Sequence, residues 1–409
     1  MSTPAQQDTA RHHTAQHHTA QHRIALRDTV RDRAHAWRAR LVELSHRLHA
    51  DPETAFEEHR SAEAVAALAE SAGFSVERGA GSLPTAFTAT LGTGELVIAL
   101  CAEYDALPGL GHACGHNVNG TAALGAAIAL GAVADELGIT VKLIGTPAEE
   151  DAGGKVLLIE AGVFDDVAAA MMVHAAPSDS VGGSSLAISG WDVVYTGRAA
   201  HAAAAPWEGV NALDALTVAQ TAIGLLRQQL PGSTVVSGII TDGGSAANVI
   251  PDRAAAHFEM RAPTLERLRA VQARVRACFE AGALATGASV TIEPRGNEFA
   301  DLRQDPAMSE IYASAVTALG RTLDEEPGLG GSTDMGNVSH VVPAIHPMIG
   351  YDTGGAHQHT VEFAAAGTTP AADLAILDGA VAMAWTAVEL ATDPQQRRRL
   401  LARRRPAAT

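Results

Sequence analysis

Cysteine is scarce. Cys101, Cys114 and Cys278 are the three in a chain of 409 residues, too few and too scattered for a disulfide framework, which fits a reducing compartment and a cytoplasmic address. Positive charge is also in short supply. Lys and Arg number 29 against 46 Asp and Glu, a formal net charge of −17, and no basic stripe interrupts this acidity before about residue 395. Nucleic acid is therefore not an expected partner. The late cluster Arg397, Arg398, Arg399, Arg403, Arg404 and Arg405 reads as a solvated helix end running into Pro406. The N-terminus lacks an apolar core of signal-peptide type, and no run of about eighteen apolar residues occurs, so neither export nor a membrane is expected.

What is plentiful is apolar residue, 47% of the chain, enough to fill two cores, and the length favours two domains. Residues 11–22 repeat H-H-T-A-Q and supply His12, His13, His17, His18 and His22. Without apolar periodicity, residues 1–24 are expected to be a disordered tail, which fixes no coordination geometry and is given no catalytic role. Helical spacing of apolar residues follows over 30–48 and 62–72. Strand-like runs at 95–101, 141–145 and 168–173 then alternate with an Ala-rich helix at 121–137. The alternation implies an α/β catalytic domain, residues 25–188 and 301–409, with helices around a largely parallel sheet. From 189 the order becomes strand (192–195), helix (212–230), strands (234–240 and 254–261), helix (265–281) and strand (289–293). This β-α-β-β-α-β order is the ferredoxin-like arrangement, expected here as a domain inserted over 189–300.

Cys114 and His116 stand one residue apart between glycines. In extended backbone residues i and i+2 point the same way, so both can reach one ion. Their loop follows the strand ending near Cys101, and clefts in α/β sheets open at the carboxyl ends of strands. Glu149-Glu150 follows strand 141–145 to the same edge. Adjacent carboxylates there are costly unless solvated or bound to cations. Neighbours in extended chain face opposite sides, so one Glu can ligate an ion while the other serves as a base; the spacing does not say which. His174 ends the run 168–173 at another strand exit. His359, in His357-Gln358-His359-Thr360, supplies a late donor, with His357 as the alternative. Cys, His and carboxylate donors without C-x₂-C pairs suit an open catalytic site better than a closed structural zinc site. Beside a spare Glu, the natural chemistry is activation of water and attack on a carbonyl.

The ordered motifs are Pro52-Glu53 with Phe56, E-Y-D-A-L-P-G at 103–109, G-H-A-C-G-H-N at 111–117, T-P-A-E-E at 146–150 and H-A-A-P at 174–177. They continue with H-A-A-A-A-P-W-E-G-V-N-A-L-D-A at 201–215, N-V-I-P at 248–251, G-S-T-D-M-G-N-V-S at 331–339 and H-T-V-E-F at 359–363. In these the chain resembles the aminoacylase and glutamate carboxypeptidase family of metallopeptidases, in its amidohydrolase branch, over nearly everything after the His-rich segment. The resemblance implies that Cys114, His116, Glu150, His174 and His359 bind two divalent ions, zinc or manganese, with Glu149 as general base and Asp105 orienting a ligand. It also implies a homodimer in which the inserted domain is a lid that sends His201 into the other subunit's site to polarise the scissile carbonyl. Asn248, Arg261, Ser332 and Thr333 match substrate-holding positions, and Arg suits a carboxylate through bidentate contacts.

The implied substrate is a small N-acyl amino acid, an aminobenzoyl-glutamate-like amide or a dipeptide. Asn117, where many members of the branch have Asp, and G-S-T-D-M in place of G-S-E-D-F resemble the subgroup of aminobenzoyl-glutamate hydrolase subunits and the dipeptidase for β-alanyl-lysine type peptides. Two other readings compete: a thiol amidase in which His116 activates Cys114 as nucleophile, and a non-catalytic relative that binds a small ligand.

Overall fold

The protein is described by a computed structural model covering residues 21–324 and 331–403. Most of the expected tail, residues 1–20 with His12, His13, His17 and His18, lies outside the described residues, as do Arg404 and Arg405. Residues 21–24, also assigned to that tail, open a helix instead. The elements in chain order are α1 (21–36), α2 (Arg38–Ala50), α3 (His59–Ser71), β1 (Ser75–Arg78), β2 (Phe87–Leu91), β3 (Leu96–Ala102), α4 (His116–Gly131), α5 (Ala134–Leu137), β4 (Ile139–Gly145), α6 (Gly154–Glu160), β5 (Ala169–Met171) and β6 (His174–Ala176). Then come β7 (Ala187–Thr196), α7 (Ala212–Leu226), β8 (Val235–Asp242), β9 (Arg253–Ala262), α8 (Leu265–Thr286) and β10 (Ser289–Phe299). The chain closes with α9 (Pro306–Ala318), α10 (Met335–Val341), β11 (Ala344–Ile345), β12 (Met348–Gly350), α11 (Val361–Ala366), α12 (Pro370–Thr392) and α13 (Pro394–Arg403). The fold is α/β, in two compact units: residues up to 183 with 303–324 and 338–403, and residues 184–302 with 331–337.

In the first unit a six-stranded sheet runs β1-β2-β4-β3-β5-β11. The pairs β3–β4, β3–β5 and β5–β11 are parallel; β1 and β2 join antiparallel at one edge. All seven residues of β3 are buried, which is why it reads as a continuous apolar run rather than an alternation. Helices α4 and α12 are buried along most of their length. Small residues let them approach: a Cβ added at Gly125 would lie 3.0 Å from that of Ala380. The chain has no unbroken run of about eighteen apolar residues, but α12 is long enough and apolar enough on average to cross a membrane by length and composition alone. Its Asp373 and Asp378 interrupt a strict apolar run without making the helix polar, and 83% of its most apolar stretch is buried in this core.

The second unit carries an antiparallel sheet ordered β10-β7-β9-β8. Along β7 residues alternate, with Ala187, Ser189, Trp191, Val193 and Tyr195 buried. Phe279 of α8 and Ala215, Ala219 and Ile223 of α7 fill the same core. Each helix starts at a capping side chain: Asn211 accepts from the N–H groups of Leu213 and Asp214, and Thr264 from that of Arg267. The β-α-β-β-α-β order gives the ferredoxin-like arrangement.

Candidate metal centre

The five expected donors, Cys114, His116, Glu150, His174 and His359, all belong to the first unit. Strand β3 delivers Glu103, Tyr104 and Asp105 to its carboxyl end, all three buried. The loop that follows returns at Gly115, the residue before α4, in left-handed conformation (φ 78°). A Cβ there would meet that of Ala175 at 2.4 Å, so glycine is needed for both reasons. Cys114 and His116 therefore converge around a left-handed glycine, and His116 starts a helix; the extended i, i+2 geometry expected from the sequence is absent. Asp105 lies beneath them. His116 donates from Nδ1 to the Asp105 carbonyl (2.9 Å) and Oδ1 (3.0 Å), while Oδ2 accepts from the Glu150 backbone N–H at 3.0 Å. One carboxylate thus aims an imidazole and anchors a second donor's backbone, and it leaves His116 Nε2 as the lone-pair nitrogen.

Glu149 and Glu150 follow β4 through a turn at Ala148, whose φ of 58° is unusual for a residue with a Cβ. Extended backbone would put the two carboxylates on opposite sides of the chain. In the turn they converge instead: Glu149 Oε2 and Glu150 Oε1 each lie 3.9 Å from His116 Nε2. His174, first residue of β6, donates from Nδ1 to the Ala175 carbonyl (2.9 Å) and presents Nε2 to Cys114 Sγ at 3.5 Å. His359 Nε2 is 3.6 Å from Glu150 Oε2. Its backbone also has positive φ (65°), and its N–H bonds to the Ala113 carbonyl at 2.8 Å. His357 is exposed and joins none of the donor groups found among the described residues.

Donor atoms of Cys114, His116 and His174 lie within 4.8 Å of one another, as do those of Cys114, Glu150 and His359. The two triads share Cys114, and their residues would hold up to two cations. The chemistry fits. His116 Nε2 and Glu150 Oε1 are buried without a hydrogen-bond partner, the condition that a bound cation would relieve. Burial pushes the Cys114 thiol and the Glu150 carboxyl up from their ordinary values and takes His174 down to about 3. At His116, Asp105 and Glu103 outweigh burial and raise its affinity for a proton. Without cations, then, burial favours the neutral forms of Cys114, Glu150 and His174, while His116 keeps its proton.

Glu103, Lys155 and His346 flank the donors without being expected there from the sequence. Glu103, fully buried, accepts from Lys155 Nζ at 2.7 Å and from Asn119 Nδ2 at 3.3 Å, and its Oε2 lies 3.4 Å from His116 Nε2. Its position two residues before Asp105, hence on the same face of extended chain, was the available signal; Lys155, within α6, offered none. His346 is buried against His174, ring centroids 5.2 Å apart, with neither ring nitrogen partnered. It ends the apolar run 341–345 just as His174 ends 168–173. Asn117 is spent on packing: its Nδ2 donates to Ser45 Oγ and to the Gly367 carbonyl, each at 2.9 Å.

The remaining five predicted residues lie in the second unit: His201 with Asn248, Arg261 with Ser332, and Thr333. His201 Nδ1 accepts from the Ala203 and Ala204 N–H groups, both at 3.2 Å, which leaves the proton of a neutral ring on Nε2. The Asn248 carbonyl accepts from Ala202 N at 3.0 Å, holding the two segments side by side. Arg261 donates from Nη1 to Ser332 Oγ (3.3 Å) and from Nε to Glu259 (2.8 Å), a carboxylate partner that the sequence reading did not foresee. Thr333 Oγ1 accepts from the Met335 N–H at 3.2 Å.

Residues 99–375 match the profile of peptidase family M20/M25/M40. The chain is 40% identical to the Xaa-Arg dipeptidase of Mus musculus over 376 residues, 87% of this chain and 86% of that protein. It is 38% identical to one of the p-aminobenzoyl-glutamate hydrolase subunits of Escherichia coli K12, over 63% of this chain and 58% of that one. A dinuclear metal-binding M20 peptidase from Bacillus subtilis has the same fold, with a TM-score of 0.66 and 24% identity over 87% of this chain and 98% of its own. The chain belongs to peptidase family M20/M25/M40 and is a metal-dependent amide-bond hydrolase.

Proposed function

We propose that this enzyme is a cytoplasmic homodimeric dipeptidase that cleaves small dipeptides carrying a basic residue, with two zinc ions or, failing that, manganese. The observation that carries the reading is the pair of donor triads sharing Cys114, with a further carboxylate, Glu149, 3.9 Å from His116 Nε2. The dipeptide is suggested by the relative matched over most of both chains, a dipeptidase acting before arginine. A net charge of −17 favours encounter with a cationic substrate. A thiolate donor at Cys114 would lean toward zinc.

Cys114, His116 and His174 would hold one ion, and Cys114, Glu150 and His359 the other. Bound there, the ions would lower the pKa of a water and stabilise the negative charge that develops on the carbonyl oxygen. Glu149 takes a proton from the attacking water as its oxygen bonds to the carbonyl carbon. The C–N bond then breaks, and Glu149 passes the proton to the leaving nitrogen. His201, supplied by the second subunit, donates from Nε2–H to the carbonyl oxygen. Asn248 and Ser332 orient the peptide, Arg261 receives the terminal carboxylate in exchange for Glu259, and Thr333 shapes the turn beside it. A Cys114 nucleophile is disfavoured by burial, which raises the thiol's pKa.

Glu149→Gln should retain both metals and lose roughly 10²- to 10⁴-fold in kcat; turnover within tenfold of the parent would reject the base assignment. Chelation should abolish activity and added zinc restore it. Comparison of kcat/KM on an Xaa-Arg dipeptide, an Xaa-Glu dipeptide and aminobenzoyl-glutamate tests the substrate, and a preference for the last would overturn the dipeptidase reading. Mixing His201→Ala with Glu149→Gln subunits should recover activity that neither has alone. No recovery despite demonstrated subunit exchange would mean that His201 does not act across a dimer.

A further inference from the structure

Glu58 is held near its own backbone and that of Phe56, yet it also reaches far along the chain. It occupies the N-cap position of α3, but its side chain does not cap that helix. Glu53 does so instead, accepting from the backbone N–H groups of Arg60 (3.2 Å) and Ser61 (2.7 Å). Glu58 is thereby free to reach ninety residues along the chain. Fully buried, its Oε1 accepts from the Ala148 N–H at 2.8 Å.

Ala148 is the residue at which the backbone needs holding. A left-handed alanine is disfavoured, and such conformations persist where the surroundings over-determine them. The turn is fastened on either side: the Thr146 N–H bonds to the Ala102 carbonyl (2.8 Å), the Ala148 carbonyl accepts from Gly153 N (2.8 Å), and the Glu150 N–H bonds to Asp105. At Ala148 N itself the partner is Glu58. The next two side chains are Glu149 and Glu150, which the turn directs toward one nitrogen of His116.

We propose that Glu58 is a positioning residue for the catalytic turn: by accepting from Ala148 N–H it holds the left-handed conformation that makes both carboxylates converge on the metal centre. It touches neither substrate nor ion. The activity arm of its test rests on the proposed roles of Glu149 and Glu150; the metal-affinity arm does not depend on any turnover.

The test compares Glu58→Ala, Glu58→Gln, Ala148→Gly and the double variant Glu58→Ala/Ala148→Gly, each purified as the full chain with a native circular-dichroism spectrum as the criterion of folding. Zinc affinity is read by competition with a chromogenic chelator, and kcat and KM on a dipeptide that the parent cleaves. Glu58→Ala is expected to lose on the order of tenfold in zinc affinity and in kcat, the loss of a buried hydrogen bond, with KM little changed. Glu58→Gln keeps an acceptor oxygen and should stay within about threefold of the parent. Ala148→Gly removes the penalty of left-handed alanine and should return about fivefold of what Glu58→Ala loses. A generally destabilising loss would not be restored at that one position. Zinc affinity and kcat unchanged in Glu58→Ala would overturn the proposal, as would a Glu58→Gln loss equal to that of Glu58→Ala, or a double variant no better than Glu58→Ala. If Glu58→Ala alone does not fold, the double variant and Glu58→Gln decide by the same two readouts. If the parent cleaves no amide at all, the dipeptidase reading fails while the zinc titrations still judge Glu58.

Discussion

At the scale of single residues, Glu58 also carries a consequence for stability. Burial, then the neighbouring Asp105, pushes its carboxyl from an ordinary 4.5 up to about 7. Folding therefore favours the protonated acid. That contribution is fully present below about pH 4.5 and is lost as pH rises through 7, because the folded protein must then ionise a buried group. Glu58→Gln never ionises. In metal-free protein the variant should match the parent near pH 4.5 and exceed it by about 3 kcal/mol above pH 7.5, measured as a widening gap in Tm between pH 5 and pH 8. A gap independent of pH would mean that Glu58 does not titrate in this range. Residues of this kind are hard to read from sequence. His174 and Glu149-Glu150 were legible because each sits at the end of an apolar run. Glu58 lies in the acidic pair Glu57-Glu58 at a helix start, where solvation or capping is the ordinary role, and its partner is distant in the chain. Lys155 was hidden for the same reason: only the fold brings it to Glu103.

Among the elements, α4 does most to fix the centre, since His116 is its first residue and Asn119 its fourth. The helix lies close against the segment that leaves β3. A Cβ at Gly120 would be 2.2 Å from the Glu103 carbonyl oxygen, so Gly120→Ala must push the two apart. Overpacking of this sort costs about 1–3 kcal/mol, and thermal unfolding should show that loss together with weakened zinc binding. Unchanged zinc binding in a destabilised variant would separate the packing of α4 from the aim of His116. The long periodic elements were legible in the sequence: β3, β4 and the helices of the second unit fall within a few residues of expectation. The 121–137 helix is expected without a break, but it begins at His116 and is interrupted after Gly131, where Val133 (φ −126°, ψ 7°) leaves α-helical geometry before α5. Strands β1, β2, β6 and β12, three to five residues each, are shorter than a pattern needs to announce itself.

For the whole molecule, the two units have separate cores, while the five donors belong to one of them. Metal should therefore stabilise the first unit by mass action, about 2.7 kcal/mol at one hundred times Kd. Phe279→Ala marks the second unit, because Phe279 is fully buried there beside Phe258 and Trp191; it should cost about 3–5 kcal/mol. Calorimetry is expected to show one component that zinc raises and another that Phe279→Ala lowers. A single component moved by both would mean that the units unfold together. A change of element order near residue 189 marks the insertion in the sequence, but residues 331–337, expected in the first unit, group with the second. Its boundaries differ from expectation because β7 starts at Ala187, before the more apolar residues that marked it, and β10 runs on to Phe299 past a register shift.

The discontinuity of the first unit orders events during synthesis. A ribosome emits Cys114, His116, Glu150 and His174, then the entire second unit, and only afterwards His359. At ordinary elongation rates roughly ten to forty seconds separate His174 from His359. The nascent chain in that interval holds the Cys114–His116–His174 triad but lacks the last donor of the other, so the full complement of ions is a mark of finished chains.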